Sequence, residues 1–363
     1  MAKRILMTGN DAIGEGAIRA GCDCYFGYPI TPQNELTAYM AEHMPEHGRV
    51  FIQAESEIAA INMVFGAAVA GKRAMTSSSS PGISLKQEGI SYLAANELPA
   101  VIVNVQRGGP GLGNIAPSQA DYFQAVKGGG HGDYRLIVLA PDSVQEMHDF
   151  TVLAFELADR YRNPVLILAD GRLGQMMEPI VLYDKPAPPV PDKPWALTGA
   201  KNRKPNMVRS LLLEEGELEK LNLRLQAKYE NIQQKEPRYE ETGSDSCEML
   251  IIAYGTCARV ARGAIKLAHE VNRKVGLFRP ITLWPFPSAI LNRICENNKS
   301  LQHIFVVEMS AGQLIEDVKL SIKRNLPVHF LGKLGGAVPT EHEILSCIQE
   351  IGQVKPGIIV KKF

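Results

Sequence analysis

The chain has 363 residues, 45% of them hydrophobic and 21% charged, with 39 Lys+Arg against 39 Asp+Glu. That is enough chain for two α/β domains with cores of their own. The even charge leaves no surplus to draw nucleic acid or an anionic membrane, and the composition excludes a disordered chain. No apolar run approaches the about 18 residues of a membrane span. The first residues, Met1-Ala2-Lys3-Arg4-Ile5-Leu6-Met7, hold too short an apolar stretch for a signal peptide, so a cytoplasmic location is expected. Cysteines stand at 22, 24, 247, 257, 295 and 347. They form no C-x-x-C pair and no ligand set for a metal or an iron–sulfur cluster, so they read as buried reduced thiols.

From Met1 to about Ile180 strands alternate with helical stretches. Ala20 to Phe26 contains a buried strand, and it stops abruptly at Gly27-Tyr28-Pro29-Ile30-Thr31-Pro32. Each proline there lacks a donor and biases its predecessor to extended geometry. The Thr31 hydroxyl is thereby placed on a stiff loop at the carboxyl end of a strand, where α/β sheets bind ligands. Helices are expected over 10–20, 33–44, 55–70, 83–95 and 143–161. Strands are expected at 51–53, 74–76, 100–105, 136–140 and 165–169, with Ser77–Gly82 as a polar loop. This alternation predicts a parallel sheet covered on both faces.

Between Asp184 and Pro194 five prolines fall in eleven residues, a stiff extended boundary. Met207 to Gln234 reads as an amphipathic helix with Leu211, Leu218, Leu221 and Leu225 on one stripe, packed on a domain or on a partner subunit. A second α/β unit follows, with strands at 249–253, 275–278, 304–307 and 328–331 and helices at 257–271, 286–298 and 312–324. The expected divisions are 1–185, a linker with its helix at 186–245, and 246–363.

Several motifs fail. Gly111-Leu112-Gly113-Asn114-Ile115-Ala116 formally fits G-x-G-x-x-A, but Pro117 interrupts the helix that must begin there to hold a pyrophosphate. A nicotinamide-dependent dehydrogenase would rest on that run alone. The serine run 77–80 has no G-x-S-x-G frame and no P-loop occurs. Glu57, in the first turn of its helix, suits a surface cap. The apolar run behind it also suits a partly desolvated carboxyl, useful as a proton donor or as the hydrogen-bond partner of a heterocycle. Arg107, after the strand 101–105 and before a glycine loop, can be a salt-bridged surface residue or a bidentate clamp for a carboxylate. His131 lies in another glycine-rich loop and reads as structural more readily than functional.

Taken together, Tyr28-Pro29-Ile30-Thr31-Pro32, Glu55-Ser56-Glu57-Ile58-Ala59-Ala60, Gly82-Ile83-Ser84-Leu85-Lys86-Gln87-Glu88 and Arg279-Pro280-Ile281-Thr282 resemble the α-type subunit of the 2-oxoacid:ferredoxin oxidoreductases. The resemblance spans nearly the whole chain. It implies two three-layer α/β domains, a thiamine diphosphate-binding domain of the pyrimidine type and a transketolase C-terminal-like domain. It also implies coenzyme A-dependent oxidative decarboxylation of a 2-oxoacid with electrons passed to ferredoxin. By match to the family's motifs, Glu57 looks like the glutamate that hydrogen-bonds the aminopyrimidine and promotes ylide formation. Pro29 and Ile30 look like its neighbours at the pyrimidine end, Thr31 like a catalytic substrate-side hydroxyl with Tyr28 beside it on the substrate, and Arg107 like the holder of the 2-oxoacid carboxylate. The family's Gly-Asp-Gly diphosphate–Mg²⁺ motif is missing; the nearest string is His131-Gly132-Asp133-Tyr134. The diphosphate, the metal and the iron–sulfur clusters are therefore expected in partner chains: a thiamine diphosphate-binding β subunit, a γ subunit and a ferredoxin-like δ subunit. The strings 21–26, 107–114 and 127–132 are similar to the branched-chain (2-oxoisovalerate) class. The glycine-rich loop offers no second cation for a distal carboxylate, unless Lys127 or His131 supplies one. The alternatives are a 2-oxoglutarate enzyme and a non-catalytic assembly subunit.

Overall fold

The computed structural model describes residues 4–182, 187, 189–354 and 358–363. Part of the expected proline-rich boundary, like the first three residues, lies outside them. In chain order the first part gives β1 (Arg4–Thr8), α1 (Gly9–Arg19), β2 (Cys24–Gly27), α2 (Asn34–Glu46) and β3 (Val50–Gln53). It continues with α3 (Glu57–Val69), β4 (Ala74–Ser78), α4 (Ser80–Ala95), β5 (Ala100–Gln106) and α5 (Tyr122–Val126). It ends with β6 (Ile137–Leu139), α6 (Val144–Tyr161), β7 (Pro164–Asp170), α7 (Gly171–Gln175) and β8 (Met177–Val181). The second part gives α8 (Glu217–Lys235), β9 (Tyr239–Thr242), β10 (Met249–Ile252), α9 (Gly255–Glu270), β11 (Val275–Pro280) and β12 (Thr282–Trp284). It closes with α10 (Ser288–Asn297), β13 (His303–Glu308), α11 (Leu314–Ser321), β14 (Val328–Gly332), α12 (Glu341–Ile351) and β15 (Lys361–Lys362).

Among the described residues the first sheet has seven strands in the order β12-β6-β7-β5-β4-β2-β3, parallel except for β12. Strands β4, β5 and β7 are buried along their whole length, as a parallel sheet covered on both faces requires. The second sheet runs β15-β14-β13-β10-β11-β9, parallel except for β9. Both layers of helices are present, and the expected α/β architecture of two three-layer units is borne out.

Three local expectations are corrected. Ser77 and Ser78 belong to β4 rather than to a loop, Ser79 is the residue before α4, and Pro81 sits in its first turn. Proline is tolerated there because the first N–H groups of a helix have no intrahelical acceptor. Second, α8 begins only at Glu217, after Gly216 in the left-handed region, so Leu211 is exposed and outside it. The buried stripe of α8 is Leu221, Leu225, Tyr229 and Ile232. It lies on the chain's own first domain, where Arg224 and Lys228 meet Glu97, and Tyr229 packs edge-on to Trp284. Third, one strand from the second part of the chain adds to the edge of the first sheet. Pro280 ends β11 in the second sheet, and two residues later Thr282 opens β12 in the first. A short edge strand with no alternating pattern of its own leaves no periodic signal.

Candidate functional site

Strands β5, β4, β2 and β3 are parallel neighbours, so their carboxyl ends open on one edge of the sheet. Each end delivers one part of the site. Tyr28–Pro32 follows β2, Glu57 follows β3 after a short turn, Ser79–Gly82 follows β4, and Arg107 follows β5. The crossing from β3 over β2 to β4 makes this edge a switch point of the sheet, the ligand position of open α/β folds.

Thr31 is half-buried, with Tyr28 and Ile30 half-buried and Pro29 exposed beside it. The Asn34 side chain donates to Thr31 Oγ1 at 3.2 Å. With that lone pair taken, the hydroxyl proton is free to be given outward. The loop is held from below by Gln33, fully buried, which accepts from Ser77 Oγ at 2.5 Å and from Thr37 Oγ1 at 3.4 Å. Tyr25 completes this layer through Ser77, at 2.6 Å, and Thr37.

Arg107 is 7% exposed. Its Nη1 donates to the Thr31 carbonyl at 3.0 Å and its Nη2 to the Leu112 carbonyl at 3.1 Å. The guanidinium therefore ties the β2 loop to the glycine loop. Nε is buried and has no hydrogen-bond partner among the described residues, so the fork keeps donors in reserve. The backbone of Arg107 is fixed by Ser80: its N–H donates to Ser80 Oγ at 3.0 Å, and Ser80 also donates to Asp121 at 2.5 Å. Burial raises the Asp121 carboxyl, against the hydrogen bonds from Ser80 and Asn104.

Glu57 opens α3, capped by Ser56, whose side chain accepts from Ala59 N at 3.1 Å. It is 6% exposed, which is not the position of a surface cap. Its carboxyl packs against Gly82: a Cβ there would stand 2.5 Å from Glu57 Oε1 and 2.9 Å from its Cγ. Glycine at 82 thus lets the carboxyl pack directly against the first turn of α4, a close approach that any side chain there would block. A hydrogen bond joins Thr31 to Arg107 directly; Glu57 joins them through the first turn of α4, whose Ser80 holds Arg107 and whose Gly82 faces Glu57.

Two other expected candidates lie elsewhere. His131 is exposed over the far end of α4, its carbonyl accepting from Ser91 and its ring edge-on to Tyr92. From Gly82 to Ser91 is about 14 Å along a helix. Lys127 is paired with Asp317 of the second domain. The glycine loop 108–116 folds back on itself, with Asn114 N donating to Gly108 O and Gly108 N to Ala116 O, and no helix follows until Tyr122. The dinucleotide reading thus loses the helix N-terminus it requires.

Sequence reasoning missed Gln33 and Lys86. Lys86 is fully buried, donates to Thr76 Oγ1 at 2.7 Å, and is drawn down to about 7 by burial, against the field of Glu57. The signal was present: Gly82, Ile83, Lys86, Gly89, Ile90 and Leu93 form the buried stripe of α4, at helical spacing.

Comparisons with known proteins supply the family. Residues 15–240 match the family described as pyruvate flavodoxin/ferredoxin oxidoreductase, thiamine diphosphate-binding, and residues 247–344 match the pyruvate:ferredoxin oxidoreductase core domain II. Ketoisovalerate oxidoreductase subunit VorB of Methanothermobacter marburgensis is 53% identical over 95% of this chain and 97% of its own length. The 2-oxoglutarate synthase subunit KorA of Methanothermobacter thermautotrophicus is 36% identical over 97% and 100%. Among solved structures, the 2-oxoglutarate:ferredoxin oxidoreductase from Magnetococcus marinus, with 2-oxoglutarate, coenzyme A and succinyl-CoA bound, has a TM-score of 0.84 at 28% identity. It covers 96% of this chain, which spans 65% of that chain's length. A split-gene transketolase at 14% identity and TM-score 0.58 shares the fold alone. The expected resemblance is borne out: the chain belongs to the pyruvate flavodoxin/ferredoxin oxidoreductase family, as an α-type subunit of the thiamine diphosphate-dependent 2-oxoacid:ferredoxin oxidoreductases.

Proposed function

We propose that this subunit catalyses, with its partner chains, the coenzyme A-dependent oxidative decarboxylation of a branched-chain 2-oxoacid, 3-methyl-2-oxobutanoate, to the acyl-CoA and CO₂ with reduction of ferredoxin. The observation that carries this reading is the Arg107 guanidinium. It is buried, pinned by the Thr31 and Leu112 carbonyls, and set on the shelf that also holds Glu57.

Thiamine diphosphate, when bound, supplies the electron sink that decarboxylation needs. Glu57 would be the hydrogen-bond partner and proton carrier of its aminopyrimidine, with Pro29 and Ile30 beside it on the β2 loop and Tyr28 on the substrate side. Thr31 donates its hydroxyl proton to a substrate oxygen, since Asn34 already occupies its acceptor side. Arg107 orients the 2-oxoacid carboxylate through its remaining donors. An apolar substrate tail is favoured because Lys127 is engaged by Asp317 and His131 stands at the far end of α4. The exposed Leu112 and Ile115 flank Arg107 on the glycine loop instead. The high identity to a ketoisovalerate oxidoreductase subunit supports the same choice. We assign the diphosphate, its Mg²⁺ and the iron–sulfur centres to β, γ and δ partners, because the sequence lacks the Gly-Asp-Gly motif for the former and a cysteine set for the latter. Six free, buried cysteines suit the reducing cytoplasm.

The test is a 2-oxoacid panel on the co-expressed complex, with thiamine diphosphate, coenzyme A and a viologen dye. The expected result is the highest kcat/KM for 3-methyl-2-oxobutanoate; a maximum at 2-oxoglutarate refutes the substrate assignment. In the same assay Glu57→Gln should lose at least about 100-fold in kcat. Wild-type turnover in that variant would make the chain an assembly subunit.

A further inference from the structure

Just before α8 the chain carries a segment that belongs to neither sheet. Residues 205–213 form no helix or turn, and their exposure alternates strictly. Asn206, Val208, Ser210 and Leu212 are half-buried, and Val208 and Leu212 pack on the core of the first domain. Met207, Leu211 and Leu213 point the other way and are 73%, 69% and 84% exposed. That is the period of a β-strand laid with one face on the domain. Among the described residues, however, the backbone of 205–213 makes no hydrogen bond within the chain. An apolar strand with free N–H and C=O groups is a template for a further strand, and natural folds blunt such strands with prolines and charges. Here proline stands only at the start, Pro205, and Arg209 is the single charge before Glu214.

We infer that this strand is a docking surface for a second copy of the same chain, paired antiparallel across a two-fold axis at Ser210. The occupant follows from the sequence, which is complementary to itself. Exposed Lys201 and Lys204 precede the strand, and exposed Glu214, Glu215 and Glu219 follow it. With Ser210 on the axis, Met207 faces Leu213 of the second copy, Val208 faces Leu212 and Arg209 faces Leu211. The basic stretch of each copy then lies along the acidic stretch of the other, with Lys201 opposite Glu219. One patch thus serves both sides of a two-fold contact. Moving the axis to Arg209 would set that arginine against itself, and like charges directly opposite are unfavourable. Moving it to Leu211 would put Met207 against Glu215. Parallel pairing would lay basic stretch on basic stretch. Main-chain hydrogen bonds supply the attachment, and the side chains fix the register. The inference is independent of the reaction proposed above.

The experiment is disulfide trapping in the co-expressed complex. The native cysteines of this chain are all buried, so within it an introduced exposed thiol reports alone. Ser210→Cys, oxidised with copper phenanthroline, should move this subunit on a non-reducing gel to a band of twice its mass. On the axis, residue 210 faces its own copy at about 4.5–5.5 Å between Cα atoms, within the reach of a disulfide. Met207→Cys faces Leu213 instead and should be trapped at least about tenfold more slowly. Met207→Cys combined with Leu213→Cys should recover the Ser210→Cys rate, and it serves as the test if Ser210→Cys does not fold. Those two positions lie about 20 Å apart along one strand, too far to bridge within one copy. Salt at about 1 M should slow trapping several-fold, and a rate that salt leaves unchanged overturns the pairing of the charged ends. No doubled band in either trapping variant overturns the proposal, as does equal trapping through Met207→Cys alone. A band whose mass adds a different subunit assigns the strand to that partner and overturns it as well.

Discussion

Substituting alanine for Gly82 tests the seat of the Glu57 carboxyl with one methyl group. The added Cβ would meet Glu57 Oε1 at 2.5 Å and Cγ at 2.9 Å, against an ordinary van der Waals range that begins at 3.4 Å. Restoring that contact moves the carboxyl by about 0.9 Å, and Ser78 Oγ crowds the same Cβ more closely still. Glu57 cannot yield by reorienting the start of α3, because Ser56 caps that turn and Ala60 and Ile61 behind it are buried. Overpacking of this kind costs about 1–3 kcal/mol. Alanine in place of glycine in a helix returns about 1 kcal/mol, which leaves the fold within about 2 kcal/mol of wild type. A catalytic group displaced by about 1 Å, however, loses on the order of 100-fold in rate. Gly82→Ala should thus keep its circular dichroism spectrum and unfold within a few degrees of wild type, while dye reduction falls about 100-fold and thiamine diphosphate binds more weakly. Gly89→Ala is the control. Its Cβ would meet Ile61 Cγ2 at 2.6 Å, two turns further along the same helix. It should lose comparable stability and keep its activity at temperatures well below unfolding. If Gly82→Ala turns over within threefold of wild type, the carboxyl beside this glycine is not where the chemistry is done.

Arg107→Lys should separate substrate from cofactor. One ammonium cannot serve both the Thr31 and Leu112 carbonyls and a carboxylate besides, and each hydrogen bond from a charged donor contributes about 1.5–3 kcal/mol. We expect kcat/KM for the 2-oxoacid to fall by about 10²–10³, with thiamine diphosphate affinity unchanged; an equal fall in both would place Arg107 on the cofactor. The pH dependence of stability should be read at His329, which burial, aided by the neighbouring His303, lowers from 6.5 to about 4. A histidine depressed in the folded state stabilises above its unfolded value and loses that contribution as pH falls through its folded value. The fold should therefore lose on the order of 3 kcal/mol between about pH 6.5 and 4. His329→Asn keeps an acceptor for the Val360 N–H, which His329 Nδ1 now accepts at 3.0 Å, and removes the titration. Thermal unfolding of the variant should be flatter than wild type across that window, and an unchanged slope assigns the acid sensitivity to other groups.

The helices and inner strands of both units were legible because each carries its own period. α6 runs from Val144 to Tyr161, within two residues of the stretch expected from its apolar spacing, and β5 and β7 are the continuous apolar runs of buried parallel strands. The β2 loop, Glu57 and Arg107 were legible as residues but not as a site. Their meeting depends on strand order, β5-β4-β2-β3, and no local pattern encodes that order. The serine run at 77–80 was misread because polarity suggested solvent, whereas Ser77 buries its hydroxyl between Tyr25 and Gln33. Lys86 was passed over for the converse reason: a charge on an apolar stripe reads as an interruption of it, whereas Lys86 is buried with its ammonium donating to Thr76.

The crossing of β12 into the first sheet bears on how these perturbations propagate. β12 pairs with β6 of the first sheet only two residues after β11 ends in the second, too short a connection to let the units part. Side chains reinforce it. Gln119 donates to the Tyr254 carbonyl at 2.9 Å and accepts from Met309 N at 3.0 Å. Thr256 donates to Asp170, whose carboxyl burial raises and this hydrogen bond lowers. Arg279, 1% exposed, is shared among Asp142 and Glu146 of the first unit and Glu240 of the second. Removing Arg279 would leave Glu146 without its cation, at about 3–5 kcal/mol. The two units should consequently unfold as one, so a pH effect that begins at His329 on β14 is read in the same transition as a clash at Gly82 on α4. The same coupling fixes the glycine loop from above, where Asn114 Nδ2 donates to the Gly335 carbonyl at 2.8 Å. The Leu112 carbonyl that pins Arg107 belongs to that loop, so the second domain helps to set the clamp on the substrate although it contributes no residue to it.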